Sequence, residues 1–455
     1  MSSVAAPLEA TRRSEGRRWL ALGFIAGAQL MIALDATIVS IALPSAQHAL
    51  GATDSDRQWV ITAYTLAFGG LLLFGGRVAD SLGRKRSLLI GLAGFALASV
   101  AGGAAPTFTF LIAARAVQGA FAALLAPTAL SLLAVTFSEP KERATAFAVY
   151  GSIAGSGAAI GMLLGGVLTQ YLSWRWCLYV NLPIAVAAGI GGWIFVRPTQ
   201  ARPTASLDLP GVVLAGTGLV AIVYAASSHT GGLVAAGLFL LAMFVLRELR
   251  TRDPLLPMRI VTDRVRGGVY LTVGLVLAGM FGAYLFLTYY FQVAHHYTPM
   301  QAGLAFLPIT LGSQAASWLI ARRLMPRLPA RVLIVAGAVV SAAALAMLAQ
   351  LRPDSNYLAM IGPAELLLGA GLSTMMVPAF SNATRGVAAH EAGVASAVVN
   401  ATQQVGASIG IAVLNSIAVV HGFATATAWG AGIMLLAAVV GGVLINAPRP
   451  SPRSA

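Results

Sequence analysis

Fourteen predominantly apolar runs, most of them close to the length that spans a bilayer as a helix, leave this chain little scope to fold in water. They lie near 19–43, 58–76, 87–104, 108–136, 144–168, 176–196, 210–228, 231–246, 267–292, 300–321, 332–350, 357–382, 392–418 and 424–446. No water reaches the hydrocarbon to satisfy free amides, so each run must close its own hydrogen bonds as a helix. Composition agrees. Hydrophobic residues make up 58% of the 455 and charged residues 10%, where a soluble domain carries about 25% charged residues. The expected fold is an all-α polytopic membrane protein.

A net charge of +14 and a pI near 10.7 would suit a nucleic-acid binder, but the positions of the charges argue otherwise. With the N-terminus inside, all but four of the 29 basic residues fall in cytoplasmic segments. The exceptions are Arg57, Arg175 and Arg352 in external loops, and Arg115 within a helix. That asymmetry is the positive-inside pattern, so topology explains the basic excess and both termini are expected in the cytoplasm. The first apolar run is too long for a cleavable leader. Cys177 is the single cysteine, so no internal disulfide is available, and no His, Cys or carboxylate cluster has metal-ligand spacing. The Arg- and Ala-rich usage suggests a GC-rich bacterial genome, hence a bacterial plasma membrane.

The loops are short, so the chain divides by its helices. A tail at 1–18 precedes six helices at 19–196. A linker at 197–266 carries an extra two-helix hairpin and an Arg-rich cytoplasmic segment. Six more helices at 267–446 precede a tail at 447–455. Two six-helix halves are the repeat architecture of many secondary carriers, with the substrate site between them near mid-membrane. A degenerate echo supports the division: the loop from Gly76 to Arg86 is basic, and so is the matching loop of the second half around Arg322, Arg323, Arg327 and Arg331.

Three ionisable residues fall deep in helices: Asp35, Arg115 and Glu365. Burying an aspartate in hydrocarbon costs roughly 2.5–3.5 kcal/mol or more, so these groups must face protein or water. At 1.5 Å per residue all three lie roughly 10–14 Å from the external helix ends. Asp35 and Arg115 at matched depth can pair, and protonating Asp35 would release Arg115. Their plainer reading is a static ion pair that fixes packing. Glu365 follows Gly362 and Pro363, where a broken helix would admit solvent, and is a candidate for binding substrate or a proton.

Other polar positions carry weaker signals. Gln118 lies one turn after Arg115, and Asn400 and Gln404 share a helix face. Interhelical hydrogen bonding competes with substrate contact for each. Tyr289, Tyr290 and Gln292 end the ninth helix, where an interfacial aromatic belt is the simpler reading. His295 and His296 fall in an external loop and are expected to be solvated. In the fifth helix Gly151 and Gly155, then Gly157, Gly161 and Gly165, are spaced for close helix packing, or for a hinge or seal.

Together these residues resemble the major facilitator superfamily, in its fourteen-helix drug:proton antiporter branch, over nearly the whole chain. Leu34 to Pro44 is similar to the branch's L-D-x-T-I-V-N-V-A-L-P motif, with Ser40 for asparagine. Gln58-Trp59-Val60 with Tyr64 resembles its second-helix opening. Gly76 to Arg86 resembles G-x-L-A-D-R-x-G-R-K, with Val78 for Leu and Ser81 for Arg. Arg115 to Gly119 matches R-x-x-Q-G. Trp174-Arg175-Trp176 through Asn181-Leu182-Pro183 is like W-R-W-x-F-x-x-N-x-P. Gly157 to Gly166 follows G-x-x-x-G-P-x-x-G-G except that Met162 replaces the proline that would bend the helix.

The resemblance implies a proton-coupled exporter of small amphipathic organic compounds, cationic ones among them, with protons as coupling ion and no cofactor. It implies coupling through Asp35 and Arg115. Gating falls to Gly76, Asp80, Gly83 and Arg84, where Asp80 docks on helix ends at the cytoplasmic gate of the outward-open state, and to Gly157, Gly161 and Gly165. Candidate substrate contacts are Glu365, Gln118, Tyr64, Asn400, Gln404, Tyr289 and Gln292. Met162 keeps a proton-linked importer or metabolite carrier on the same fold open as the alternative. A sensor or membrane enzyme finds no soluble domain or nucleophile constellation to support it.

Overall fold

Each apolar run closes into helix. In the computed structural model, residues 5–137, 139–198, 208–228, 230–251, 254–325, 327–352, 355–383 and 392–445 are described. The helices of the first part are α1 (Ala5–Leu50), α2 (Trp59–Leu82), α3 (Arg84–Gly103), α4 (Phe108–Thr136), α5 (Pro140–Tyr171), α6 (Trp176–Tyr179) and α7 (Asn181–Phe195). A hairpin follows, α8 (Leu209–Ser228) and α9 (Gly231–Arg250), then the short α10 (Met258–Val261). The last part holds α11 (Arg264–Tyr289), α12 (Pro299–Ala305), α13 (Leu307–Leu319), α14 (Ala330–Leu348), α15 (Gly362–Ala383), α16 (Ala392–His421) and α17 (Phe423–Leu444). No strand occurs among the described residues.

Twelve helices among the described residues are long and apolar enough to cross a membrane. Two expected spans are helical but fall outside that count. In α5 (Pro140–Tyr171) the apolar stretch among the residues whose side chains are described is Ala159–Tyr171. The run near 300–321 is interrupted at Phe306, where Pro308 opens a new helix. Proline lacks the N–H that would continue the preceding ladder. Three π turns also occur in this part, at Tyr290–Ala294, Ile320–Leu324 and Tyr357–Ile361.

Helices α1 to α7 pack chiefly on one another: α2 on α4, α1 on α5 and α7, and α3 on α4 and α7. Helices α11 to α17 do the same, with α14 and α13 on α15 and α11 on α16 and α17. The two groups meet where α2 lies along α16 and α5 against α12. Their outer surfaces carry exposed Leu97, Trp193 and Val439, as a lipid-facing wall requires.

The hairpin α8–α9 stands on the flank, with α8 touching α2 and α16. Its base is polar. Asp208 Oδ1 accepts from Arg247 Nε at 2.7 Å and from the Gly211 amide at 3.1 Å. Burial alone would raise the Asp208 carboxyl, but those hydrogen bonds and the Arg247 charge hold it below the usual carboxylate range. Beside it, Glu248 Oε2 accepts from the Leu256 amide at 2.8 Å. Arg77, at the end of α2, donates to the Pro254 carbonyl and so ties this base to the α2–α3 loop.

The basic exceptions are built in. Arg175 donates to the carbonyls of Gly103 and Ala105 at 2.7 and 2.8 Å, capping the end of α3. Arg57 is buried. His295 is not simply solvated as the sequence suggests: its ring lies 4.5 Å from that of Tyr290, and its Nε2 is buried.

Candidate functional site

Asp35 sits in the middle of α1 with no solvent exposure. Its Oδ2 accepts from Arg115 Nη1 at 2.6 Å. Its Oδ1 accepts from Gln118 Nε2 and from Asn181 Nδ2, both at 2.8 Å. Four helices therefore converge on one carboxylate, because Ser99 of α3 accepts from Gln118 at 2.7 Å and from Asn181 at 3.3 Å. Arg115 and Gln118 share a face of α4 by their spacing of three, and Arg115 Nη1 also donates to Gln118 Oε1 at 2.6 Å. The guanidinium is held further by the Val60 carbonyl at 3.2 Å and by the Tyr64 ring, 4.2 Å away. Both oxygens of this buried carboxylate are thus satisfied by charged or amide donors. Two polar atoms beside it, Tyr64 Oη and Asn181 Oδ1, are buried without a hydrogen-bond partner among the described residues.

The glycine row of α5 lies against α1 at this level. A methyl group built on Gly157 would come within 2.8 Å of Ala33 Cβ, on Gly161 within 2.7 Å of the Leu34 carbonyl, and on Gly165 within 2.9 Å of the Ile38 carbonyl. Only glycine permits that approach, so the row forms the seam that backs Asp35. The seam continues through Met162, whose carbonyl faces Gly303 of α12, and α5 remains helical there.

Tyr289 and Gln292 serve a different place. Tyr289 Oη donates to Gln47 of α1, and Gln292 Nε2 donates to the Ile41 carbonyl at 2.9 Å. The Arg57 guanidinium lies 4.0 Å over the Tyr289 ring, donates to Asn415 Oδ1 at 3.2 Å and pairs with Asp54 at 3.2 Å. These contacts bolt the two helix groups together at the Arg-poor end of the bundle. Deeper, Thr65 and Ser408 are 2.7 Å apart.

The remaining candidates stand apart. Glu365 is fully buried in α15, and neither carboxylate oxygen has a hydrogen-bond partner among the described residues. Asn400 Nδ2 donates back to the Ser396 carbonyl at 3.0 Å, and Gln404 packs its Cβ toward Gly69 of α2. In the α2–α3 loop Gly83 has φ +86°, a conformation that favours glycine, and Asp80 is half-exposed with Arg84 at 3.8 Å. A methyl group built on Gly76 would meet, among the described residues, Pro127 at 3.7 Å.

The structure thus gathers Asp35, Arg115, Gln118 and Tyr64 into one network and leaves Glu365 outside it. Sequence reasoning passed over Ser99, Asn181, Gln47, Arg57 and Asn415 as site residues. Two signals pointed to members of this set: Asn181 closes a quoted motif, and Arg57 breaks the positive-inside pattern.

Comparison with known proteins adds the following. A family profile described as Major Facilitator Superfamily matches residues 25–411. The puromycin resistance protein pur8 of Streptomyces alboniger is 48% identical, over 98% of this chain and 95% of its own. The cephamycin export protein CmcT of Amycolatopsis lactamdurans is 40% identical, over 85% and 82%. The lincomycin resistance protein of Streptomyces lincolnensis is 34% identical, over 88% and 84%. The crystal structure of the human organic anion transporter MFSD10 (TETRAN) superposes with a TM-score of 0.63 at 18% identity, covering 94% of this chain and 99% of that one, which establishes likeness of fold.

Proposed function

The chain belongs to the major facilitator superfamily, and on that premise we propose that it is a proton-coupled exporter of amphipathic antibiotics or secondary metabolites, not an enzyme. Resistance and export are the roles named for relatives that match it over most of their length. They favour export over the import that Met162 leaves open. In this reading the protein crosses a bacterial plasma membrane fourteen times, with α5 and the α12–α13 segment as the two further spans. Two six-helix halves enclose the pathway, the hairpin is an addition, and both termini are cytoplasmic.

The observation that carries proton coupling is the Asp35 network. A sealed carboxylate with one cation and two amide donors changes its environment sharply when it gains a proton. Neutral Asp35 no longer holds Arg115, and Arg115 is then free to change partners. The cycle we infer has Asp35 deprotonated when cytoplasmic substrate binds and protonated from outside before substrate leaves. An inward-facing stage is supported by the Arg57–Tyr289 contact that closes the Arg-poor end and by an Asp80 that is half-exposed beside Arg84. Opening then alternates between the two ends. Glu365, Tyr64, Asn400 and Gln404 are the residues we assign to the pathway.

Expression in a drug-sensitive host lacking its own exporters tests the reading. Steady-state accumulation of a lipophilic drug should fall, and a protonophore should restore it. Accumulation unchanged across a broad panel, or raised by energisation, would overturn export.

A further inference from the structure

Two buried carboxyl groups converge at the base of the α8–α9 hairpin. Asp208 is 4% exposed and Glu248 2%. Each has one oxygen engaged: Asp208 Oδ1 accepts from Arg247 and the Gly211 amide, and Glu248 Oε2 accepts from the Leu256 amide. The other two oxygens, Asp208 Oδ2 and Glu248 Oε1, have no hydrogen-bond partner among the described residues. Gly211 shows where they point. A methyl group built on it would stand 2.5 Å from Asp208 Oδ2 and 3.2 Å from Glu248 Oε1. Glycine leaves the carboxyls room to approach, and they lie within hydrogen-bond reach of each other.

Two carboxylates so placed repel each other, and a single shared proton removes the conflict. Burial would raise the Asp208 carboxyl, but the hydrogen bonds of Arg247 and Gly211 and the Arg247 charge hold it low, so Asp208 is the acceptor. Glu248 is then the acid: its Oε1 donates to Asp208 Oδ2, which satisfies both remaining oxygens at once. The charges acting on the pair are Arg247 on α9 and Arg77 at the end of α2. The short α10, which touches α9, carries Arg259. The described part of α16, which touches α8, holds no Asp, Glu, Lys or Arg, and its His421 is at the far end.

We propose that Asp208 and Glu248 form a proton-binding site that clamps the hairpin to the end of α2. The link runs through residues 254–256: the Pro254 carbonyl accepts from Arg77 of α2, and the Leu256 amide donates to Glu248 of α9. When the Glu248 proton leaves to water, the pair passes from one negative charge to two. Repulsion then parts α8 from α9 at the base, and the movement of Glu248 loosens the segment that Arg77 holds. The hairpin is thus a brace whose grip on the α2–α3 loop follows pH at the Arg-rich end, which is cytoplasmic in the reading above. The site needs neither substrate nor gradient, so its failure leaves the exporter reading untouched, and failure of export leaves the site standing.

The test uses purified full-length protein in nanodiscs. The single cysteine, Cys177, is buried, so spin labels go on Leu82→Cys at the end of α2 and Leu249→Cys on α9, both exposed positions. Between about pH 5 and about pH 9, the separated population should grow relative to the clamped one by up to about tenfold per pH unit, as linkage to one proton requires. Glu248→Gln keeps both contacts, its carbonyl accepting from Leu256 and its amide donating to Asp208. It should hold the short distance at every pH. Infrared difference spectra over the same titration should show a protonated carboxyl band that disappears in Glu248→Gln and remains in Asp35→Asn and Glu365→Gln. A wild-type distance independent of pH, or a pH response unchanged in Glu248→Gln, would overturn the proposal. So would a short distance that depends on sodium or magnesium in place of the proton.

Discussion

Arg115 Nη1 lies 2.6 Å from Asp35 Oδ2, and neither side chain reaches solvent. The pair joins α1 to α4 within one helix group, so its state can alter packing inside that group without breaking the contact between groups. Removing Arg115 alone leaves a buried carboxylate with only amide donors, which costs about 3–5 kcal/mol. Arg115→Ala should therefore lower Tm in detergent markedly, and adding Asp35→Asn should recover most of that loss. A double variant no more stable than Arg115→Ala would show that the ion pair is not what the arginine satisfies.

Gly161→Ala places a methyl group within 2.7 Å of the Leu34 carbonyl, one residue from Asp35. Backbone on both sides resists relaxation, and overpacking of this kind costs about 1–3 kcal/mol. Export should fall severalfold and Tm should drop, while Gly76→Ala, facing Pro127 at 3.7 Å, should retain its stability. Equal loss in both would mean that the seam is not the sensitive contact.

Arg57 over Tyr289 is a cation–π contact across the two helix groups. Such a contact contributes about 0.5–2 kcal/mol when desolvated. Arg57→Ala should shift the population toward opening at the Arg-poor end by roughly twofold to thirtyfold. Spin labels on the ends of α2 and α16 would read this as a longer distance population; an unchanged distribution would assign Arg57 to local packing.

Asp208 is held below the usual carboxylate range by the hydrogen bonds and charge of Arg247 and by the Gly211 amide, against its burial. A carboxyl depressed on folding adds stability that is fully present above its unfolded pKa and is lost as pH falls through the folded value. Asp208→Asn should thus lower Tm at pH 7, and the gap from wild type should close as pH drops below about 4. A gap independent of pH would assign the effect to lost packing at the hairpin base.

Much of this organisation is legible in the sequence because the bilayer enforces it. Apolar runs become helices for want of any other way to satisfy backbone groups, and Asp35, Arg115 and Glu365 stand out because charge is rare there. The same rarity does not flag Ser99, Asn181 or Asn415, since neutral polar residues are cheap enough to occur in membrane helices for many reasons. Which donors reach Asp35 depends on the rotation of α3 and α7, set by the packing of α3 on α4 and of α7 on α1 and α3 and not by local pattern. Tyr289 shows the same limit: a tyrosine at a helix end reads as an interfacial anchor until α1 and α2 are seen to bring Gln47 and Arg57 against it. The interruption at Phe306 was signalled by Pro308, but hydropathy averaged over the run conceals it.

The most direct measurement is proton release from everted membrane vesicles holding an acid-inside gradient, for wild type and Asp35→Asn, across cationic and neutral drugs. Proton antiport through Asp35 predicts that drug addition collapses the gradient in wild-type vesicles and not in the mutant. Equal collapse in both, with wild-type drug transport intact, would contradict it by showing that protons cross without this carboxylate.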